Sequence, residues 1–220
     1  LWAATENGLS SISPKGMKFN SIFMGKKGFQ ELTGLMKSNI KSFAKKNDGT
    51  IFFGAPDGVF GFNYSDEQSG IRNYSATDNR NAWSLAVGKS DEIWIGTYGQ
   101  GLKKLNLKNG KVEHWKIASP TFKTSAFDYL KSLYLDNDNF LWIGFWGGGL
   151  ARLDTKTGDY RIWIHNNDSP QSISHNDVWA IHQDRIGRLW IGTNGGGLNL
   201  FEDKDGGKFQ RWADIKDKSK

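Results

Sequence analysis

Cysteine is absent from the sequence, which excludes disulfide bonds and thiolate metal sites but does not fix the redox compartment. Proline is scarce, with 4 occurrences in 220 residues. No stretch approaches the ~18 consecutive apolar residues of a membrane-spanning helix, and no charged-then-apolar leader opens the chain. We therefore expect no direct membrane contact by this segment.

Signatures of catalysis and metal binding are missing as well. The 4 histidines show neither the His-x-x-x-His nor the His–Glu pairing of a zinc site. The glycine-rich run at 192–197 joins two apolar segments rather than opening a helix, so it does not meet the context of a dinucleotide site. Neither a phosphate-binding loop nor a nucleophile elbow occurs. We expect no cofactor, no metal and no enzymatic activity in this segment.

Glycine and aromatic residues are abundant instead, with 27 Gly, 10 Trp and 14 Phe. This combination is typical of short strands joined by tight turns. The hydrophobic fraction of 37% and the charged fraction of 24% indicate a globular chain. The formal net charge is +6, but the lysines are spread along the chain without a basic stripe, so no nucleic-acid partner is expected.

One short motif occurs five times, with spacings of 50, 42, 48 and 48 residues. Each copy is an apolar run followed by a glycine turn and a second apolar run. The copies begin at Leu1, Ile51, Ile93, Leu141 and Leu189. An apolar stretch stands about eleven residues before most copies, and a segment with an aromatic residue follows them. Each unit therefore predicts four short strands, which we call a, b, c and d.

A repeat of 40 to 50 residues with four strands is the signature of a β-propeller blade. The predicted fold class is all-β, with four-stranded antiparallel blades, and the whole of 1–220 is taken as one propeller segment. About five blades are expected: a partial blade at 1–24 and blades at about 39–75, 81–116, 128–164 and 176–213. The partial blade lacks strand a, and an unclosed ring exposes strand edges, so we favour a larger, seven-bladed ring whose other blades lie outside this sequence.

Nine tryptophans fall on repeated positions, which predicts that they are core residues. They are Trp2, Trp94, Trp142 and Trp190 in strand b, Trp83 and Trp179 in strand a, and Trp115, Trp163 and Trp212 in strand d. The glycine that follows the Trp-Ile pair of strand b, as at Gly144 and Gly192, predicts either a close approach or a positive φ.

Trp146 is the exception, because it lies in a glycine-rich b–c loop where no repeat position requires an aromatic residue. A tryptophan in such a loop is suited to stack on a sugar ring or a partner side chain, although packing on a neighbouring loop remains open. The b–c and d–a loops emerge at the same end of a blade, so we expect a polar ligand there. The candidate binding residues are Trp146, Tyr98, Asn194, Arg80, His165, Asn166 and His175. Solvation of these polar loops is the alternative.

The segment 189–198, with Asp184 and Gly187 before it, resembles the two-component regulator propeller repeat. The segments 93–102 and 141–150 match equally well, whereas Ala3-Ala4 and Phe53-Gly54-Ala55 depart from the pattern. This resemblance implies the periplasmic sensor region of a Bacteroidetes hybrid two-component histidine kinase, often responding to an oligosaccharide. It also implies partners in the remaining blades and downstream domains of the same inner-membrane sensor.

Two other functions remain open from the residues. The first is a protein-interaction scaffold that forms a homodimer through its blade faces. The second is a propeller lyase, which needs a polar catalytic cluster. Strand a offers Lys41, Trp83, Lys131 and Trp179 at matching positions, which is a poor acid–base set. A ligand sensor is the preferred reading of the sequence.

Overall fold

The structure is a computed structural model that describes residues 2–5, 8–12, 19–21, 39–63, 70–74, 81–122, 125–202 and 207–212. These residues form nineteen strands in five sheets, and each sheet contains consecutive strands of the chain. The first sheet has three strands and the other four sheets have four strands each. The predicted all-β architecture of four-stranded antiparallel blades is therefore confirmed.

The three-stranded sheet contains β1 (Trp2–Thr5), β2 (Gly8–Ile12) and β3 (Phe19–Ser21). The second sheet contains β4 (Ser42–Lys45), β5 (Thr50–Ala55), β6 (Gly58–Asn63) and β7 (Arg72–Asn73). The third contains β8 (Ala82–Val87), β9 (Glu92–Thr97), β10 (Leu102–Asn106) and β11 (Val112–Trp115).

The fourth sheet contains β12 (Leu130–Leu135), β13 (Phe140–Phe145), β14 (Leu150–Asp154) and β15 (Tyr160–Trp163). A 3-10 turn over Ser125–Asp128 precedes it. The fifth sheet contains β16 (Val178–Gln183), β17 (Leu189–Thr193), β18 (Gly197–Phe201) and β19 (Phe209–Arg211). Strands a, b, c and d of the repeat thus correspond to β12 to β15 and again to β16 to β19.

In the fourth and fifth sheets the a–b turn closes through an aspartate. Oδ1 of Asp136 accepts hydrogen bonds from the backbone N–H groups of Asp138 and Phe140, both at 2.9 Å. Oδ1 of Asp184 accepts from the N–H groups of Ile186 at 3.1 Å and Arg188 at 2.9 Å. A side chain that satisfies its own turn in this way fixes the geometry with which strand a leads into strand b.

The chain divides into two compact units, one of residues 1–97 and 103–113 and the other of residues 98–102 and 114–220. In the first unit, Phe52 of β5 packs with Ala82 and Leu85 of β8 in one hydrophobic cluster. In the second unit, Trp142 of β13 packs with Val178 of β16 in another. Within each unit, apolar side chains of strand b therefore pack against strand a of the next sheet.

The repeated glycine of strand b is a close-approach position rather than a positive-φ position, since neither Gly144 nor Gly192 has a positive φ. A Cβ placed on Gly144 would lie 2.7 Å from the carbonyl oxygen of Val178 and would also meet Oγ of Ser132. At Gly192 the nearest atom to such a Cβ is Cβ of Ala180, at 3.4 Å. The requirement for glycine is therefore strict where another sheet packs on the strand.

The prediction that the repeated tryptophans are all core residues is wrong for two of them. Trp94, Trp142 and Trp163 are buried, but Trp179 is 53% exposed and Trp212 is 42% exposed. Both belong to the fifth sheet, which packs against the fourth sheet through one of its faces. The side chain of Trp2 lies outside the described residues, and Trp83, Trp115 and Trp190 are partly buried.

Candidate functional site

Each strand a of the later sheets carries an extra residue in its pairing with strand b. Leu130 pairs with Phe145 and Ser132 pairs with the adjacent Gly144. Lys131 therefore has no residue opposite it in strand b. The same register shift leaves Trp179 between Val178 and Ala180 in β16, and Trp83 between Ala82 and Ser84 in β8. A β-bulge turns its extra side chain away from the direction that strict alternation would give. Lys131 and Trp179 are thus equivalent residues on two adjacent sheets.

The Nζ atom of Lys131 lies above three aromatic rings in the second unit. It is 4.4 Å from the ring centroid of Trp146, 5.3 Å from that of Tyr98 and 5.4 Å from that of Trp179. We call Tyr98, Lys131, Trp146 and Trp179 the Lys131 cluster. An ammonium within about 6 Å of a ring centroid is attracted by the negative face of the ring.

The aromatic members of the Lys131 cluster also contact one another. The rings of Tyr98 and Trp146 are 5.5 Å apart, and Tyr98 makes an edge contact with Tyr129 at 4.8 Å. Trp146 is 43% exposed, and Trp179 is 53% exposed. The result is a partly solvated aromatic surface with one cation in its middle.

Backbone hydrogen bonds hold the loops that present this surface. The N–H of Trp146 donates to the carbonyl of Tyr129 at 2.9 Å, and the N–H of Gly149 donates to the carbonyl of Asn176 at 2.8 Å. The N–H of Gly99 donates to the carbonyl of Asp128 at 2.8 Å. Both of these b–c loops are therefore bonded to the segment that leads into a strand a, which limits the movement of Trp146.

The sequence correctly selected the b–c loops as neighbours of the segments that precede strand a, but it did not identify all members of the cluster. Of the seven candidate binding residues, the structure brings Tyr98 and Trp146 into direct contact. Arg80 lies outside the described residues. The other four occupy the loop before β16 and the turn between β17 and β18, and none of their described contacts is with the Lys131 cluster.

His165 and Asn166 organise the loop between β15 and β16. Nδ1 of His165 lies 2.8 Å from the carbonyl oxygen of Ile173, and its Nε2 lies 2.9 Å from Oδ1 of Asn167. Oδ1 of Asn166 accepts from the N–H of Asp168 at 2.9 Å. These contacts hold the loop in its own fold. The described side-chain contacts of His165 and Asn166 are therefore used within the loop.

His175 and Asn194 lie close to Asp177, just before β16. Nδ1 of His175 accepts the N–H of Asp177 at 3.0 Å and lies 3.9 Å from its Oδ2. The N–H of Asn194 donates to the carbonyl of Asp177 at 2.9 Å. Asn194 therefore connects the b–c turn of the fifth sheet to the start of its strand a, whereas these contacts of His175 lie within the segment that precedes β16.

Lys131 and Trp179 contact the candidate residue Trp146 or its cluster, and the sequence reasoning did not include them among the binding candidates. The signal that could have revealed them is the alternation at one repeat position, which reads Lys41, Trp83, Lys131 and Trp179 in successive units. Lys41 and Trp83 make a second contact of this kind within the first unit, with Nζ 4.8 Å from the ring centroid.

Two clefts lie elsewhere in the second unit. One, of about 360 Å³, is lined at the a–b turn end by residues such as Asp136, Ile186 and Arg188. The other, of about 290 Å³, lies beside His114 and Phe127. Neither is lined by a member of the Lys131 cluster.

The described residues hold no group of three or more metal-ligating side chains in reach of one ion. Across those same residues, no helix has the length and apolar character needed to cross a membrane.

Residues 172–195 match the family model described as two component regulator propeller. In this segment the chain is similar to the two-component regulator propeller repeat. The repeat spans the loop before β16, strand β16 itself and strand β17, and so includes Trp179 of the Lys131 cluster. The resemblance read from the sequence is confirmed there. No curated protein matches the chain.

Solved structures share the fold of these repeats. The extracellular domain of the hybrid two-component system BT3049 from B. thetaiotaomicron matches 90% of the chain with a TM-score of 0.61 and 19% identity. Virginiamycin B lyase from Staphylococcus aureus matches 96% of the chain and 68% of its own length, with a TM-score of 0.64 and 14% identity. PorZ, a surface component of the type-IX secretion system of Porphyromonas gingivalis, matches 90% of the chain and 30% of its own, with a TM-score of 0.63 and 15% identity.

At these identities the likeness shows a common fold. The chain spans 31% of the length of the BT3049 extracellular domain.

Proposed function

We propose that this chain is part of an extracytoplasmic sensor propeller of a two-component system. The supporting findings are the two-component regulator propeller repeat at 172–195 and the fold shared with an extracellular domain of a hybrid two-component system. In this proposal the chain lies in the periplasm, belongs to an inner-membrane sensor and relays ligand binding to a histidine kinase. Further blades and the downstream domains of the sensor are its partners.

The proposed ligand is an oligosaccharide, bound at the b–c loops. The observation that carries this proposal is Trp146, which is 43% exposed although its loop is held by backbone hydrogen bonds. Its ring rests against Tyr98 at 5.5 Å, so its orientation is fixed before any ligand arrives. An immobilised indole face offers large apolar area to a sugar ring at little conformational cost.

A thermal-shift screen of the 220-residue chain against neutral and acidic oligosaccharides tests the proposal. A ligand that binds the folded state raises the melting midpoint by mass action, by roughly 5–10 °C for a chain of this size at one hundred times Kd. We expect a shift with one class of oligosaccharide, and we expect Trp146→Ala to remove it.

Trp212→Ala is the matched control, because Trp212 is 42% exposed and lies just after β19, outside the Lys131 cluster. This variant should keep the ligand-induced shift of the unsubstituted chain. If no oligosaccharide raises the midpoint, or if both variants lose the shift to the same extent, binding at the b–c loops is ruled out.

A protein-interaction scaffold is the second candidate. It is favoured by the fifth sheet, where Leu198 is 39% exposed and Trp212 is 42% exposed. Half-exposed apolar side chains on one sheet are typical of an interaction surface. Self-association without any response to oligosaccharides would favour this scaffold over the sensor.

A further inference from the structure

We infer that Trp179 is a second stacking residue beside Trp146, so that the two indoles bind two sugar rings of one chain rather than a single ring. This inference rests on the proposed oligosaccharide-binding function and adds the minimum length of the ligand, which is a disaccharide. It also gives a binding role to Trp179, which the repeat pattern assigned to the core.

The first argument is the exposure of Trp179, which is 53% although its repeat position predicts a buried residue. Trp179 is the extra residue of the bulge in β16, where Val178 pairs with Thr193 and Ala180 pairs with Gly192. A bulge redirects one side chain while the strands on either side stay paired, and bulges recur next to functional sites. The indole of Trp179 is therefore presented to water by a paired strand.

The second argument is that Trp146 and Trp179 contact the same atom. Their ring centroids lie 4.4 Å and 5.4 Å from Nζ of Lys131. The two indoles come from different sheets, because Trp146 follows β13 and Trp179 belongs to β16. Both are roughly half exposed. The exposed parts of two indoles are thus brought side by side on the surface of the second unit.

The third argument concerns the number of sugar rings that the two indoles hold. A ring sandwiched between Trp146 and Trp179 would occupy the place of Nζ of Lys131, which lies over both indoles. The exposed area of each indole lies outside this contact, and an indole is comparable in size to one pyranose ring. Each indole therefore stacks on its own sugar ring. One chain reaches both indoles only if it contains at least two rings.

A proline-rich peptide is the other ligand class that lies along aromatic side chains, and it docks in grooves that such side chains line. Trp146 and Trp179 favour a saccharide, because each indole is roughly half exposed. A sugar ring places one apolar face on an indole and keeps the hydroxyl groups of its rim in water. A half-exposed indole is therefore sufficient for a sugar ring, whereas an apolar side chain gains less from a surface that leaves it partly in water.

The experiment measures tryptophan fluorescence and calorimetric binding of saccharides of increasing length to the 220-residue chain. The series are xylose, xylobiose and xylotriose; mannose, mannobiose and mannotriose; and galacturonate, digalacturonate and trigalacturonate. In at least one series we expect the disaccharide to bind about tenfold more tightly than the monosaccharide, because its second ring covers a second indole. The step from disaccharide to trisaccharide should be smaller than the step from monosaccharide to disaccharide.

Trp179→Ala removes the second indole, so it should abolish the preference for the disaccharide and leave monosaccharide binding at Trp146. Trp179→Tyr keeps an aromatic face at the same position and should retain part of the preference. Trp212→Ala is the matched control, since Trp212 is also an exposed tryptophan of the fifth sheet, at 42%, but lies outside the Lys131 cluster. This control should bind every member of the series like the unsubstituted chain.

Three results would overturn the inference. If monosaccharide and disaccharide bind equally, are unaffected by Trp179→Ala and are lost in Trp146→Ala, the second stacking residue is wrong while the proposed function stands. If a polyproline peptide binds in a manner that depends on Trp146 and Trp179 and no saccharide does, the two indoles serve a peptide. If none of the probes binds, both the two-ring site and the proposed saccharide function fail.

Discussion

Asp136 uses both of its carboxylate oxygens, and the second one explains why this residue is more than a turn cap. While Oδ1 accepts two backbone N–H groups, Oδ2 accepts the indole N–H of Trp142 at 2.9 Å. Asp184 repeats the arrangement with Trp190 at 3.0 Å. An indole N–H that is removed from water needs an acceptor, and in the fourth and fifth sheets the aspartate of the a–b turn supplies it.

The second sheet lacks both members of this pair. Six residues before the strand b aromatic stands Lys46 in place of an aspartate, and the aromatic is Phe52, which has no N–H. Lys46 instead contacts Asp91 at 2.6 Å and Asp48 at 3.2 Å. A different ion pair therefore takes the place of the aspartate in the second sheet, beside phenylalanine.

Asp136→Asn should destabilise the chain by about 1–3 kcal/mol. An asparagine can satisfy the two turn N–H groups with Oδ1, but it then points an NH₂ group at the indole N–H of Trp142, so the buried donor loses its acceptor. Denaturant unfolding of both proteins measures the difference.

Asp154→Asn is the control for this substitution. Asp154 accepts only turn N–H groups through Oδ1, from Lys156 at 2.8 Å and Thr157 at 3.3 Å, and asparagine can replace it in both. Its free energy of unfolding should change little. Equal destabilisation by the two substitutions would show that the indole bond to Asp136 contributes nothing.

Asp184 predicts an acid-dependent part of the stability. The indole N–H of Trp190, and after it Arg188, hold the pKa of the Asp184 carboxyl below its usual value of 3.8. A carboxyl whose pKa is lower in the folded state stabilises the fold above the pKa of the unfolded state. This contribution disappears as the pH falls through the folded-state pKa. Asp184→Asn should therefore flatten the loss of stability between pH 5 and pH 2, measured by thermal unfolding.

Trp190→Phe removes the largest cause of the lowered pKa while leaving Arg188 in place, so it should flatten the same pH profile in part. An unchanged profile in both variants would contradict the assignment of this pKa shift to the indole bond.

At the scale of the strands, the sequence predicted the repeat well because its determinants are local. Alternating apolar residues, glycine turns and the aspartate of the a–b turn lie within a few residues of one another. The prediction for Trp179 failed because it depends on register and neighbours. A residue in a bulge does not follow the period-2 pattern, so its exposure cannot be read from its place in the strand.

The Lys131 cluster illustrates the same limit. Tyr98 and Trp146 were selected because they stood in b–c loops, where sequence position alone predicts exposure. Lys131 joins them only through the register shift between Leu130 and Ser132. His165 and Asn166 had the polar character of binding residues, but their side chains are used within their own loop. Polarity in a loop does not distinguish a ligand contact from a loop contact.

Gly144→Ala should destabilise the chain by about 1–3 kcal/mol, because a Cβ would lie 2.7 Å from the carbonyl oxygen of Val178, where β13 packs on β16. Gly192→Ala makes the same change at the equivalent position of β17, where the nearest atom is at 3.4 Å. The second substitution should be close to neutral or slightly stabilising, because alanine restricts the unfolded chain.

Denaturant midpoints of the two alanine variants, compared with the unsubstituted chain, decide this prediction. If both variants lose the same stability, the requirement for glycine belongs to the strand itself. In that case the close approach of the next sheet does not explain why glycine is required.

At the scale of the molecule, the fifth sheet exposes one of its faces, whereas the equivalent face of the fourth sheet is buried. Trp142 and Trp163 of the fourth sheet are stacked at 5.8 Å and buried in the cluster shared with β16 and β17. Their repeat equivalents, Trp190 and Trp212, are in contact at 5.9 Å, but Trp212 is 42% exposed. The fifth sheet thus carries residues suited to packing against a further sheet.

This face predicts that the isolated chain self-associates as its concentration rises, since half-exposed tryptophan and leucine side chains favour removal from water. Sedimentation velocity over a hundredfold range of concentration should show an increasing average mass. Trp212→Lys should shift the association to higher concentration, because burying a lysine in the contact carries a desolvation cost. Ile164→Lys adds the same charge at a 36% exposed isoleucine just beyond β15 and should leave the association unchanged. A chain that stays monomeric at every concentration would remove the support for a scaffold and leave this face to packing within the propeller.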